Sequence, residues 1–506
     1  MIIPMKKACF YFSICILLIG VVWLSACSDF LDEEAKGSQV DKNYYKTEAD
    51  AVAATDAIYS YLISDADAYN LWSDHFGGLF YNDFWELPEL MSDNAVSKQS
   101  SPEYQSISKF QVDAYSIRVA CLWRDFYTTI NVCNTVIAKV PAISFTDEIK
   151  KNQLIAEAKF FRALCYFELT RFFGDVPLHT VPTESVSEAQ IPRTPVAQIY
   201  PLILEDLDFA EKNLKYEERL GYGRPYALSA SALLARVYLT LGQKEKNNIY
   251  LQNAIEKADA VIPVFPMGSY EDLFKLENRF KGERIWEVNF NASLSQGWKG
   301  NQFLVRLLPK MDTEKGGPNN AQGWVAATDN LYNVFEPGDK RRDITLFKSF
   351  TYSDGSVESF DAPYFCKYWD RVAEPKGNES DATFPYLRTA EMYLIKAEAL
   401  NEINKNPTQE AKDALNAVRN RAGLGNTPAN NYADFKKAVL AERRAEFAME
   451  GHRWHDLVRM CTLDEMKELV GTAKPGVIPR DANYLFPIPN NEINISNGRL
   501  TQNEGY

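Results

Sequence analysis

Few residues in this 506-residue chain have types and spacings that could do chemistry. His452 and His455 lie three apart with Asp456 beside them, a pattern that could hold a metal ion. A zinc-protease helix needs His-Glu-x-x-His, which is absent, so both histidines read as structural. Arg443, Arg444, Glu446 and Glu450 fall at helical spacings where opposite charges pair, and read as a charge network. The Gly-x-Ser-x-Gly nucleophile elbow and the phosphate loop are missing, and Gly221-x-Gly223 reads as a turn. With 68 acidic residues, candidate carboxylate pairs for glycoside hydrolysis occur everywhere and select nothing. The expectation is a protein that makes and breaks no bond, with no cofactor; a structural calcium ion is not readable from the sequence.

The aromatic residues carry more information. A sugar has apolar C–H faces bordered by hydroxyls, so a flat ring can cover the face while Asn, Asp, Gln or Arg bind the hydroxyls. Trp298 follows Gly297 and Trp324 follows Gly323, which places both indoles in loops. Each is either packed inward or exposed for binding. Between them runs Gly316-Gly317-Pro318-Asn319-Asn320, and Asn319, Asn320 and Gln322 could supply hydrogen bonds. Residues 69–127 hold 13 aromatics in 59 positions, against 13% for the whole chain. Tyr69, Trp72, Phe76 and Phe80 recur at helical spacing and read as core. Trp85 is less regular and lies near Asp93 and Asn94, while Ser97–Ser108 reads as a polar loop carrying Tyr104.

The elements that must position these groups are mainly helices. Leu154, Ala158, Phe161, Cys165, Leu169 and Phe172 follow a 3.6-residue period from Gln153 to Phe172, and Gly174 and Pro177 stop that helix. Thr194 reads as a cap with Pro195 at the first helical position, and Pro201 should kink the start. Helical pairs follow at Ser229–Leu241 with Ile249–Ile262, and at Arg388–Asn401 with Thr408–Arg421, which Gly423 ends. The first pair spans 34 residues, the length of a tetratricopeptide unit, so a solenoid-like frame is expected. Between the pairs, residues 265–385 are rich in Gly, Pro, Asn and aromatics, with a strand-like run from Ile285 to Phe290. Long insertions on a rigid frame are where binding groups sit.

The formal charge of −13 argues against a nucleic-acid partner, which requires cations to neutralise phosphates. Lys6 and Lys7 precede 19 uncharged residues, Ala8 to Ala26, a secretory pattern. Leu24-Ser25-Ala26-Cys27 looks like a bacterial lipobox, in which the Cys27 thiol is acylated and becomes the new N-terminus. Losing the two lysines takes the charge from −13 to −15. Cys121, Cys133, Cys165, Cys366 and Cys461 remain, an odd set at irregular spacings and so no disulfide framework.

Several segments converge on one family. The run Glu157 to Phe167 with Phe173-Gly174-Asp175-Val176-Pro177-Leu178 resembles the signature helix of SusD/RagB-like outer-membrane lipoproteins, as does Ala235-Arg236-Val237-Tyr238-Leu239. Further matches are Arg388 to Ala399, Leu415 to Leu424, Glu442 to Leu457, Leu485-Phe486-Pro487-Ile488-Pro489 and Leu500 to Tyr506. They run in family order from the lipobox to the last residue. The resemblance implies a mainly α fold, a tetratricopeptide-like helical-pair superhelix with a loop-rich region and a few short strands packed on it. It implies anchoring to the outer-membrane lipid through Cys27 with the body exposed at the cell surface. It also implies partnership with a TonB-dependent, SusC-like transporter and capture of oligosaccharide, or in some members peptide; the remaining alternative is an adaptor that docks the transporter and holds no ligand. In the family the region of Ser97–Ser108 lines the ligand site. The expected ligand residues are Trp298, Trp324, Tyr104, Trp85, Asn94 and Asn320. The expected organisation is a signal at 1–26, a tether at 27–45, an N-terminal SusD-like region at 46–264 and a C-terminal region at 265–506. That last region divides into loop-rich 265–385, helical repeats 386–470 and a tail 471–506.

Overall fold

Strong caps and stops set the helices. Ser116 accepts a hydrogen bond from the Val119 amide at the start of α4, Ile117–Lys139, and Asp147 accepts from Ile149 and Lys150 at the start of α5, Glu148–Phe173. Gly174 ends α5 at φ 73°, a left-handed conformation that a Cβ would resist, and that Cβ would meet Leu485 Cδ1 at 2.9 Å. The computed structural model describes residues 45–63, 78–215, 223–292, 300–369 and 380–506. Cys27, the leader, Tyr69, Trp72, Phe76 and Trp298 lie outside the described residues. Thr47–Tyr506 forms one unit.

Within it, α1 (Glu48–Ile63), α2 (Asp83–Leu90) and α3 (Pro102–Ser108) precede α4 and α5. Then come α6 (Val196–Asn213), α7 (Ala227–Lys244), α8 (Asn248–Val261), α10 (Thr389–Asn404) and α11 (Gln409–Arg421), with the short α9 (Phe303–Leu307) between α8 and α10. From α4 onward each long helix packs on the next, and α8 packs on α10 across the insertion, giving the helical-pair superhelix. Helices α12 (Tyr432–Glu446), α13 (Arg453–Met460) and α14 (Leu463–Ala473) complete the C-terminal part. The predicted helices are found within a few residues of their expected ends.

Three details differ from the expectations. α5 is not amphipathic over its second half but buried all round, because other elements surround it. Its buried charges are therefore paired: Glu157 with Tyr59 and Arg224, Arg162 with Asp206 and Asn134, Glu168 with Tyr386 and Arg171. Pro195 precedes the first turn of α6 rather than occupying it, and the Asp175 carboxylate, 21 residues upstream, accepts the Val196 N–H at 2.8 Å. Phe80 sits in a turn before α2, fully buried among Phe84, Trp286, Phe384 and Tyr386.

The insertion enters the superhelix at one point and leaves at the same point. Strand β2 (Arg284–Val288) pairs antiparallel with β6 (Phe384–Arg388), so the chain returns beside the place it left. Arg236 of α7 then grips Glu391 of α10 through two hydrogen bonds of 2.7 and 2.6 Å, 155 residues away. Between these ends, β1 (Ala95–Ser97), β3 (Val325–Ala327), β4 (Leu346–Thr351) and β5 (Val357–Phe365) form a sheet of order β1-β3-β5-β4.

A buried ionic network ties the parts together. Arg453 holds Asp93 through both oxygens at 2.7 and 2.8 Å, and Arg444 reaches Asp93 at 3.3 Å and Asn94 Oδ1 at 2.8 Å. Glu446 receives Arg388, Arg421 and Arg341, and Glu450 receives Arg388 and Lys367. The expected charge network over 443–450 is thus present, interior rather than solvated. Burial opposes ionisation of Asp93, but the Arg444 and Arg453 guanidiniums outweigh it and hold the carboxyl well below its usual range. Asp93→Asn leaves Arg453 buried without its counter-charge, so a loss of about 3–5 kcal/mol in urea unfolding is expected. A loss within experimental error would contradict the lock.

Lys474 adds a pH signature. Its Nζ donates to the carbonyls of Leu90 (2.7 Å) and Ser108 (3.2 Å), and burial brings the ammonium down from 10.5 to about 7 despite Asp93 and Glu89 nearby. Between those two values the unfolded chain holds a proton that the folded chain has released. This group's contribution to stability therefore rises with pH across that window. The stability of the native sequence minus that of Lys474→Met should grow from about pH 7 to about pH 10; urea unfolding at several pH values reads the sign, and a falling difference would contradict it.

Candidate functional site

The insertion sheet brings one indole to the surface and supports it from behind. Small residues line β3, so Ala326 lies opposite Tyr364 of β5, which in turn lies opposite Phe347 of β4. Phe360 and Tyr364 stand on one face of β5 by the two-residue period, with Phe347 and Val96 half-buried beside them. Trp369 joins the other side of Phe347, at 6.2 Å between rings, and Phe350 at 5.5 Å.

Trp324 directly precedes β3. Its carbonyl accepts the Lys98 N–H at 2.8 Å, extending the β1–β3 pairing by one bond. Its ring is half-buried, and the Arg306 guanidinium lies 5.0 Å from the ring centroid. Arg306 in turn donates to Glu86 Oε2 (2.6 Å), Tyr104 OH (3.2 Å) and Gln302 Oε1 (3.1 Å). Burial works against that charge, and Glu86 with Tyr104 more than restores it, so Arg306 stays protonated. Gly323 has φ 59°, and a Cβ there would lie 2.9 Å from Tyr364 Cε1 and 3.0 Å from Pro309 Cα. The glycine before this tryptophan is thus required by the approach of β5.

Beside the indole, Lys98 Nζ and the exposed Asp361 pair at 2.7 Å, and Gln322 is half-buried. The Lys98 hydrogen bond lowers the Asp361 carboxyl. Asn320 is exposed at φ 61°, and its carbonyl accepts from Gln322 Nε2 at 3.3 Å. Lys98 thus lies across the strand pair from Trp324 and carries Asp361 with it, while Gln322 and Asn320 lie two and four residues before the indole in the chain.

Trp85, Asn94 and Tyr104 do not reach this surface. Trp85 is 0% exposed, its ring 5.0 Å from Phe303 and its N–H bound to the Tyr81 carbonyl. Asn94 is also 0% exposed, donating to Glu89 Oε2 (2.9 Å) and accepting from Arg444. Tyr104 lies on α3, where a polar loop was expected; the Pro102 start, a signal for the first helical position, was legible in the sequence. These three residues build the support of the site rather than its face. Lys98 and Asp361 were not foreseen, because they lie 263 residues apart and no local pattern joins them.

His452 stacks on Phe447 at 4.6 Å and His455 packs edge-on to Phe172 at 4.7 Å. Burial and then nearby arginines push both imidazoles well below their usual value, so they are neutral core residues. Among the described residues no group of three His, Cys, Asp or Glu could hold a metal. Cys121, Cys133 and Cys165 are buried thiols, and none of the five described cysteines is bonded to another.

A model described as the SusD family matches residues 344–506, and one described as starch-binding, associating with outer membrane, matches residues 29–239. A SusD-like protein of Formosa agariphila is 26% identical over 97% of this chain and 98% of its own. A SusD superfamily crystal structure from Parabacteroides distasonis superposes with a TM-score of 0.78 at 27% identity, covering 90% of this chain and 99% of the other. The chain belongs to the SusD family. A laminarin-binding SusD-like protein is also similar, with 26% identity and a TM-score of 0.73 over 91% of this SusD-like chain and all of that one.

Among the described residues the Tyr104 hydroxyl bonds Arg306 alone. Tyr104→Phe should cost about 1 kcal/mol of stability in chemical unfolding, with the near-ultraviolet circular dichroism spectrum retained. A loss above about 3 kcal/mol would mean that the hydroxyl does more than this single bond.

Proposed function

We propose that this SusD-like chain is a cell-surface lipoprotein that binds nutrient oligosaccharide at the Trp324 surface and delivers it to a SusC-like TonB-dependent transporter. Acylation of Cys27 anchors it in the outer membrane. The observation that carries the reading is the half-exposed indole of Trp324, fixed from behind by Arg306 and flanked by Lys98, Asp361, Gln322 and Asn320. The similar laminarin-binding protein supports an oligosaccharide over a peptide. The named association of the matching model with the outer membrane agrees with a lipid anchor, and no described helix is long and apolar enough to cross a membrane.

The site works by complementarity. The ring covers one C–H face of a sugar, and the flanking polar groups reject analogues that lack a matching hydroxyl, since an unpaired polar group in the site is costly. In this reading the cargo leaves unchanged. Trp298 supplies a second ring in this reading.

Calorimetry with laminarihexaose, other neutral hexasaccharides and a peptide panel tests it. Trp324→Ala should lower oligosaccharide affinity about tenfold or more, as removal of a central aromatic anchor does, and Trp298→Ala should lower it less. Affinity unchanged in both variants would remove this surface. Binding of peptides alone would replace the ligand class, and release of reducing sugar during incubation would establish an enzyme.

A further inference from the structure

A second groove lies on the helical frame and shares no lining residue with the Trp324 surface. It has a volume of about 460 Å3 and is walled by α4, by residues 177–183 and by the C-terminal segment. That volume lies in the range of roughly 300–1,000 Å3 usual for small-ligand sites.

Tyr127 forms its aromatic wall. The phenol donates to the Pro177 carbonyl at 2.8 Å, which fixes the ring, and Trp123 backs it at 5.0 Å. The His179 ring stands perpendicular to Tyr127 at 5.8 Å. Burial lowers the His179 imidazole, so at neutral pH it offers one donor and one acceptor. The His179 backbone is pinned by Tyr166 and Asn134. Asn131 Oδ1 accepts the Thr183 N–H at 2.8 Å, which orients the amide; among the described residues its NH2 has no partner.

The Glu492 carboxylate also lines the groove. Among the described residues it has no hydrogen-bond or ion-pair partner, and burial pushes its pKa up. A half-buried acceptor facing a cavity is costly unless something donates to it. Arg124, paired with Asp125 at 3.0 Å, lines the same groove. The site therefore carries acceptors and donors around a flat ring, with the Arg124 charge met by Asp125.

We infer that this groove is a second saccharide site, in which a neutral sugar ring lies against Tyr127 while its hydroxyls donate to Glu492 and accept from the Asn131 amide. Two sites on one chain raise the effective affinity for a long glycan without new contacts. The inference takes only its choice of probes from the proposed function.

Calorimetry with laminarihexaose, maltohexaose, xylohexaose and mannohexaose on the Trp324→Ala protein isolates the groove. Residual binding of at least one probe is expected, weakened about tenfold by Tyr127→Ala. Glu492→Gln, a near-isosteric change at a half-buried position, should weaken it severalfold and guards against misfolding of the tyrosine variant. If Trp324→Ala abolishes all binding, the groove reading is overturned and the proposed function stands. If no probe binds either protein, or if N-acetyl-lysine methyl ester binds in a Glu492-dependent manner, the inference is likewise overturned.

Discussion

The pairing of Asp93 with Arg453 and Arg444 is the constraint on which the rest of the molecule depends. A lone carboxylate or guanidinium in the interior costs several kcal/mol, so each charge demands its partner. Asp93 lies two residues before β1 and 360 residues before Arg453. The neighbouring Asn94 carbonyl accepts from Thr328, directly after β3, and Lys98 binds the Trp324 carbonyl on the other side. Fixing Asp93 against α12 and α13 thereby fixes β1, then β3, and then the indole. The candidate ligand surface is held by an ion pair buried well behind it.

The same logic explains how a long insertion can sit in a superhelix. Helical repeats stabilise one another through nearest neighbours, so an insertion must leave that stacking intact. The β2–β6 pairing brings the insertion's ends together, and Arg388 at the end of β6 joins Glu283, Glu446 and Glu450 in the central network. Loop closure across such a length costs only slowly more entropy as it grows. The insertion's exposed residues, Asn320 and Asp361 among them, thus stand on a root that is ionically set.

What was legible in the sequence was whatever local periodicity and capping determine. Thr408 and Gly423 bracket α11 as expected, and Gly174 ends α5. The charged run over 443–450 announced a network but not its depth, because burial depends on partners such as Asp93 and Asp339 that are far away in the chain. Trp85, Asn94 and Tyr104 looked like site residues because polar neighbours surround them in sequence. In the structure those polar neighbours satisfy one another inside. Asp175 as the cap of α6, and the Lys98–Asp361 pair, depend wholly on tertiary contact. Glycine before tryptophan was a sound signal for Trp324, for a reason only the fold supplies: Tyr364 occupies the space of a side chain.

The central claim is that a frame set by buried ion pairs presents a fixed indole to a sugar. A crystal structure of the mature protein with a bound oligosaccharide tests it most directly. The account predicts a sugar ring in van der Waals contact with the Trp324 indole, hydroxyls against Lys98 or Asp361, and the Asp93–Arg453 pair unmoved. A ligand seated elsewhere with Trp324 uncovered, or a frame that repacks around Asp93 on binding, would contradict it.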